Sequence, residues 1–472
     1  MVKKTTWLLH MILMILLFSC NDTVTEINKS DIFLVSAGGR SSDCLNDMTI
    51  DKSGNIFITG NLSENKDSIF SFGKLKLKAK GFGDGFIAKY DNFGNIVWGK
   101  IVGSESEEES DAIAVDNSGN VYIAGYFRDS MNFEGVKLKI DKLTNSSGTP
   151  NMLDMFLIKY NKNGEQIWVK QVSGVGYERP TAIQVDNTGK IYVTGYFFSN
   201  IRFETNLISN YEYPAFFIAC YNPDSSVDWA KVYGGQSSGS IYPSNMKLNG
   251  QGDIIITGSF EGSKQIGSTT LSSFGDQDVF VADFNNDGTP KWVKSFGSPL
   301  TENSRGLSFD DNDNIYIGGC FGGYNTTSMT IEGIKYNSVN GDAFISKLNI
   351  TGDIQWFKQL NGSGEDYLND LYVSNNKIYA TGYYEKDISL GDSTLTSNTF
   401  LQGFIAKFDT DGKFEIANNL NSNDALAEKI YINNSGYTLL GGNFSNSLAI
   451  KNNLINSNGN MDVFIATFNM SK

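Results

Sequence analysis

Apolar and polar positions alternate with a period of two along most of this chain, in short runs parted by Asx- and Gly-rich pieces. Ala112, Ala114 and Asp116 alternate with Ile113 and Val115, and DNSGN (116–120) then turns the chain into 121–127. This alternation predicts strands. The pieces between them have hairpin chemistry, because Asx side chains bond local backbone and glycine takes a positive φ. A further strand over 156–160 turns at NKNGE (161–165) into another over 166–171.

Two phrases recur seven times in the same order. One, like NVYIAGYF (120–127), carries Gly60, Gly125, Gly195, Gly258, Gly319, Gly382 and Gly442, spaced by 65, 70, 63, 61, 63 and 60 residues. The other, like FIAKYDNFGNIVW (86–98), carries Phe86, Phe156, Phe217, Phe280, Phe344, Phe404 and Phe464. Twelve residues beyond that phenylalanine stand Trp98, Trp168, Trp229, Trp292 and Trp356; the sixth copy has Ile416 there, and the seventh ends before it. The missing piece stands at the other end. Aligning DIFLVSAGG (31–39) with IVWGKIVGS (96–104) puts Phe33 on the Trp98 position and Gly38 on Gly103. A linear solenoid needs polar caps, whereas a closed ring needs its ends to complete one module. The expectation is an all-β, seven-bladed β-propeller with four antiparallel strands per blade, closed by an N-terminal strand that finishes the last blade. Between the second and third strands, apolar positions such as Phe70, Phe72 and Leu75, or Met131, Phe133 and Val136, predict a small extra hairpin decorating each blade.

Segments such as DAIAVDNSGNVYIAGYF (111–127) and DVFVADFNNDGTPKWVKSFG (278–297) resemble the bacterial β-propeller repeats known as SBBP repeats, over nearly all of residues 31–468. The resemblance implies the propeller fold in a secreted or surface protein. It implies no shared activity and brings no catalytic residues.

Forty-nine glycines and seven prolines suit short strands and glycine turns, and no composition shift divides 31–472, so one propeller domain is expected there. Residues 1–20 read as a lipoprotein signal peptide: Lys3 and Lys4, an apolar core from Trp7 to Phe18, and LFSC (17–20) ending at Cys20, the residue to be acylated. Residues 21–30 form a polar tether. The expected product is a monomer in the cell envelope, anchored to the outer membrane through lipid alone and either periplasmic or surface-exposed.

Removing that segment removes His10, the one histidine. His-assisted nucleophiles and His-ligated zinc, copper or iron sites are thereby excluded. Cys44, Cys220 and Cys320 show no metal-type spacing and fall in different modules, so they read as structural. The tryptophans, one per module at a fixed place, read as interblade packing rather than sugar platforms. Asp-rich turns at 116–120, 186–190 and 310–314 lack a complete calcium-loop pattern and are read as hairpin turns, leaving calcium the one metal they would suit. No cofactor is expected.

Connections within the strand pairs one–two and three–four are short and alike, while those from two to three and from four onward are long and different. One face is therefore a plain floor, and the other carries the variation that binding needs. On the variable face the segments entering the first strands are acidic: Asp43, Asp47, Glu105, Glu107 to Glu109, Asp111, Glu178, Glu302, Glu365, Asp366, Asp370, Asp424 and Glu428. The candidate ligand-binding residues are Glu107, Asp111, Glu178, Glu302, Glu365, Asp366 and Asp370, as an acidic channel mouth interrupted by Arg40, Arg179 and Arg305. Without Lys3 and Lys4 the chain has 36 basic and 52 acidic residues, a net of −16, which argues against nucleic acid. The expected function is non-enzymatic binding of a glycan, peptide or protein by the variable face. The alternative is a histidine-free carbohydrate-active enzyme using loop carboxylates, with Glu365 and Asp366 beside Tyr367 the first place to look.

Overall fold

The computed structural model describes residues 33–63, 65–140, 152–204, 206–235, 237–323, 326–420, 422, 424–433, 435–450 and 453–470. The signal peptide, Cys20 and the tether lie outside the described residues. Every element among the described residues is a strand, and the strands group into seven four-stranded antiparallel units. The first unit is Asp43–Ile50, Ile56–Leu62, Asp84–Tyr90 and Ile96–Val102, hydrogen-bonded in that order. The seventh is Ala425–Ile432, Thr438–Phe444 and Asp462–Phe468, with Leu34–Gly38 as its outer strand in the register Leu34↔Ala466 to Ala37↔Val463. The chain is a β-propeller repeat protein whose N-terminal strand completes the last unit. Units one and seven meet directly, where Asp43 N donates to Met461 O at 2.8 Å and Leu45 N to Asn443 Oδ1 at 2.7 Å.

The tryptophans sit between units. Trp98, Trp168, Trp292 and Trp356 each donate from Nε1 to a carbonyl in the three–four turn of the next unit: Lys162, Pro223, Ile350 and Thr410, at 3.3, 3.4, 3.0 and 3.2 Å. The Trp229 ring covers Gly288, whose positive φ and missing side chain the turn requires, since a Cβ there would collide with the ring. Phe33 does the same against Gly94 of the first unit, as the alignment with Trp98 predicts.

The extra hairpins are more than decoration. Ile69–Phe72 pairs through Ala37↔Phe72 with the outer strand of the preceding unit, and the long strand Ile191–Phe203 pairs through Ser173↔Arg202 with Gln166–Val175. Bridges Gly362↔Ile388 and Ser422↔Leu448 repeat the arrangement. A lone hairpin with one apolar face is marginal in water, so it docks on the nearest free strand edge and covers it.

Candidate functional site

The first strands of the units line the axis. A channel cavity of about 250 Å³ is walled by residues from six of them, including Asp47, Ile113, Gln184, Lys247, Asp370 and Lys429. Each first strand breaks register once, leaving one extra residue: Asn46, Asp111, Thr181, Ser244, Arg305, Asn369 and Glu428. A bulge re-aims its side chain, and all seven bulged residues are polar but of different kinds. Polar bonds tie neighbouring first strands around the ring: Asn46 Nδ2 to Ser110 O at 3.1 Å, Asn245 Nδ2 to Arg305 O at 2.8 Å, and Asn369 Nδ2 to Ala427 O at 3.1 Å. Lys429 meets Asp47 at 3.0 Å.

Above the bulges, one cross-strand pair per unit occupies the same register position: Cys44↔Asn61, Glu109↔Tyr126, Arg179↔Tyr196, Tyr242↔Ser259, Asn303↔Cys320, Tyr367↔Tyr383 and Leu426↔Asn443. Tyrosine and arginine concentrate on two sides of this layer. Arg179 Nη2 reaches Glu109 at 2.8 Å and Asp111 at 3.0 Å, with its guanidinium 4.8 Å above the Tyr126 ring. Tyr196 meets Tyr242 edge to face at 4.9 Å. Across the mouth, Tyr367 and Tyr383 stack at 5.4 Å, with Arg305 5.4 Å from the Tyr367 ring. One step further out, the same backbone bond joins Glu107 to Arg128 in the second unit, Tyr177 to Phe198 in the third and Glu365 to Glu385 in the sixth. A recess of about 370 Å³ opens between Tyr126, Arg128, Tyr177, Arg179, Tyr196 and Phe198.

The sequence-derived acids separate into two groups. Glu107 pairs with Arg128 at 3.1 Å on the rim, Asp111 is held by Arg179, and Asp370 Oδ2 accepts from Ile430 N at 3.1 Å beside Lys429 and Lys247. Burial pushes the Asp111 carboxyl up to about 6 against the pull of Arg179. Glu365 is on the rim of the sixth unit, opposite Glu385. Glu178, Glu302 and Asp366 are fully buried and lie between units instead of around the mouth.

Each of those three faces a buried aspartate that opens the third strand of the preceding unit: Asp154, Asp278 and Asp342 respectively. Asp84 with Glu108 and Asp462 with Asp43 complete five such junctions; the other two carry Ala215 with Ile241 and Gln402 with Ala425. Glu108 accepts from Ser104 N at 3.0 Å and Ser104 Oγ at 2.6 Å. Neither oxygen of Glu178 or Asp366 finds a donor among the described side chains and backbone. Burial raises Glu108 and Glu302 to about 7 and Asp366 to about 10, and Glu178 well above the carboxylate range.

Burial also pushes the Cys44 thiol up to about 11 and those of Cys220 and Cys320 to about 12, which keeps them protonated and unreactive near neutrality. The turn aspartates cap their own loops: Asp116 Oδ1 accepts from Ser118 N and Asn120 N, both at 2.9 Å, and Asp186 and Asp310 act alike. Among the described residues no three His, Cys, Asp or Glu side chains gather as a metal cage.

No family model matches the chain. It is 22% identical over 415 residues to an uncharacterised WD repeat-containing protein of Acanthamoeba polyphaga mimivirus, covering 72% of this chain and 30% of that protein. It is 22% identical over 359 residues to the regulatory protein FlaEY of Caulobacter vibrioides, covering 70% and 35%. The chain thus spans about a third of the length of the curated relatives it matches. Similar solved structures include the polysaccharide lyase Uly1, with a TM-score of 0.44 and 10% identity over 90% of each chain. A protein of unknown function from Dyadobacter fermentans has a TM-score of 0.42 and 9% identity, over 80% of this chain and all of that one.

Proposed function

We propose that this protein is a lipid-anchored β-propeller of the cell envelope, of the SBBP repeat type, that binds a glycan, peptide or protein at its variable mouth without chemical turnover. One observation carries the reading: the seven copies agree in their cores and floor turns and differ at the bulge and cross-strand positions that ring the mouth. Tyrosine and arginine, gathered there, offer large rigid contact surfaces with polar tips. Glu109 and Asp111 share one guanidinium. That arrangement favours binding over hydrolysis, which needs two carboxyls opposed across a bond.

The strand Leu34–Gly38 begins at the floor, where Phe33 touches the Gly94 turn, and ends at the mouth face. Acylation at Cys20, upstream of that floor-side start, would bring the lipid to the propeller from the floor side. The full-length protein, applied in detergent to a glycan array and to a displayed peptide library, is expected to give saturable hits with no cleaved product. Conversion of a hit to product would establish catalysis instead, and silence on both supports would remove the binding role.

A further inference from the structure

Away from the mouth, the outer hairpins of the first two units enclose a concavity of about 700 Å³. Both hairpins alternate lysine with apolar residues, in Leu75–Lys78 (LKLK) and Val136–Lys139 (VKLK), and in each the lysines face out. Lys66, Lys78, Lys80, Lys137 and Lys139 line the concavity against two acids, Asp67 and Glu105, leaving a formal +3 in a chain of net −14. The two acids form exposed ion pairs, Lys66 to Glu105 at 2.7 Å and Lys78 to Asp67 at 2.9 Å, which solvent screens heavily. Lys137 and Lys139 make no ion pair among the described residues. Lys80 is half-buried, with Nζ 3.4 Å from Ile101 O and 5.1 Å from the Phe133 ring centroid.

Solvated lysines on a hairpin are ordinary, but the equivalent strands elsewhere carry at most one, Lys335 in Ile334–Ser338. Thr269–Ser272, Thr394–Thr396 and Asn453–Asn456 carry no charged residue. The charge therefore does not belong to the repeat. The lining also indicates the kind of anion. It holds no arginine fork and no aromatic ring, so base stacking has no platform. Ser130 and Asn132 add polar groups suited to hydroxyls beside an apolar floor of Ala79, Met131 and Leu138.

We propose that this concavity binds an acidic oligosaccharide, with the lysines pairing carboxylate or sulfate groups and the serine and asparagine groups taking sugar hydroxyls. The site is independent of the mouth. Calorimetry on the full-length protein would compare oligogalacturonate and a heparin-derived hexasaccharide with neutral cellohexaose, inorganic phosphate and phosphatidylglycerol vesicles. At least one acidic oligosaccharide should bind, weakening about tenfold between roughly 50 and 200 mM salt as counterions are released. Lys137→Gln with Lys139→Gln, on an exposed strand face, should weaken it about tenfold with an unchanged melting temperature, and Lys139→Glu should do so further. Equal binding of the neutral sugar, indifference to the double variant, or binding of phosphate or vesicles alone would overturn the proposal.

Discussion

The folded protein should lose stability steadily as pH rises from about 5 to 9. Glu108 and Glu302 have an ordinary value of 4.5 and are held at about 7 by burial between units. Unfolded, they release their protons first; folded, they keep them. The native state therefore binds more protons across that interval, and unfolding becomes easier with each step of pH. The stabilisation is complete below the unfolded value and lost as pH passes through about 7, a change of roughly 3 kcal/mol for each group. Asp366, at about 10 and facing Asp342, extends the decline into the alkaline range. Glu178 contributes in the same direction, paired with Asp154 and cut off from any donor among the described groups. Melting temperatures measured across this range should fall monotonically, and Glu108→Gln with Glu302→Gln, which mimics the protonated carboxyls, should flatten the curve. A melting temperature that is flat or rising between pH 5 and 8 would show that these carboxyls are ionised and otherwise compensated. A rise with millimolar calcium at pH 8 would identify the compensating ion.

A chain that begins at Gly39 should be severely destabilised, by roughly 5 kcal/mol or more, and should associate through the exposed edge of Asp462–Phe468. Four backbone-paired positions join that strand to Leu34–Gly38, and Phe33 adds bonds to Thr467 in both directions, at 3.2 and 3.0 Å. Phe33 is itself 9% exposed and fills the place over Gly94 that tryptophan fills elsewhere. Phe33→Ala alone should therefore cost about 3 kcal/mol. Appending DIFLVSAGG after Lys472 should restore the truncated chain, because the ring needs the strand and not its covalent position. Denaturation midpoints decide the matter: truncation without loss, or no rescue by the appended strand, would contradict closure through this strand.

The strands and the closing piece were legible because they follow from hydrophobic period and repeat, both of which survive in a single sequence. The role of the tryptophans was legible for the same reason, and each Nε1 bond to a neighbouring turn agrees with it. The acids were legible only as acids. Glu178 and Asp111 both lie near the start of a first strand, yet one faces Asp154 between units and the other meets Arg179 of the neighbouring first strand. The register break that separates them, one bulge per first strand, shifts the alternation by one residue and leaves no mark in composition. The tyrosines at 126, 196, 242, 367 and 383 were available to sequence comparison, as positions where otherwise matching copies disagree. The docking of hairpins onto the preceding unit was not available, since it depends on where a neighbouring edge is left open.

Recognition by the mouth is tested most directly by titrating the strongest array ligand against variants at the two ends of the channel. Tyr196→Ala and Tyr177→Ala should each weaken binding about tenfold or more, whereas Asn163→Ala, on an exposed floor turn, should leave it within about twofold. Unchanged affinity in both tyrosine variants, with loss in the floor variant, would place recognition on the opposite face.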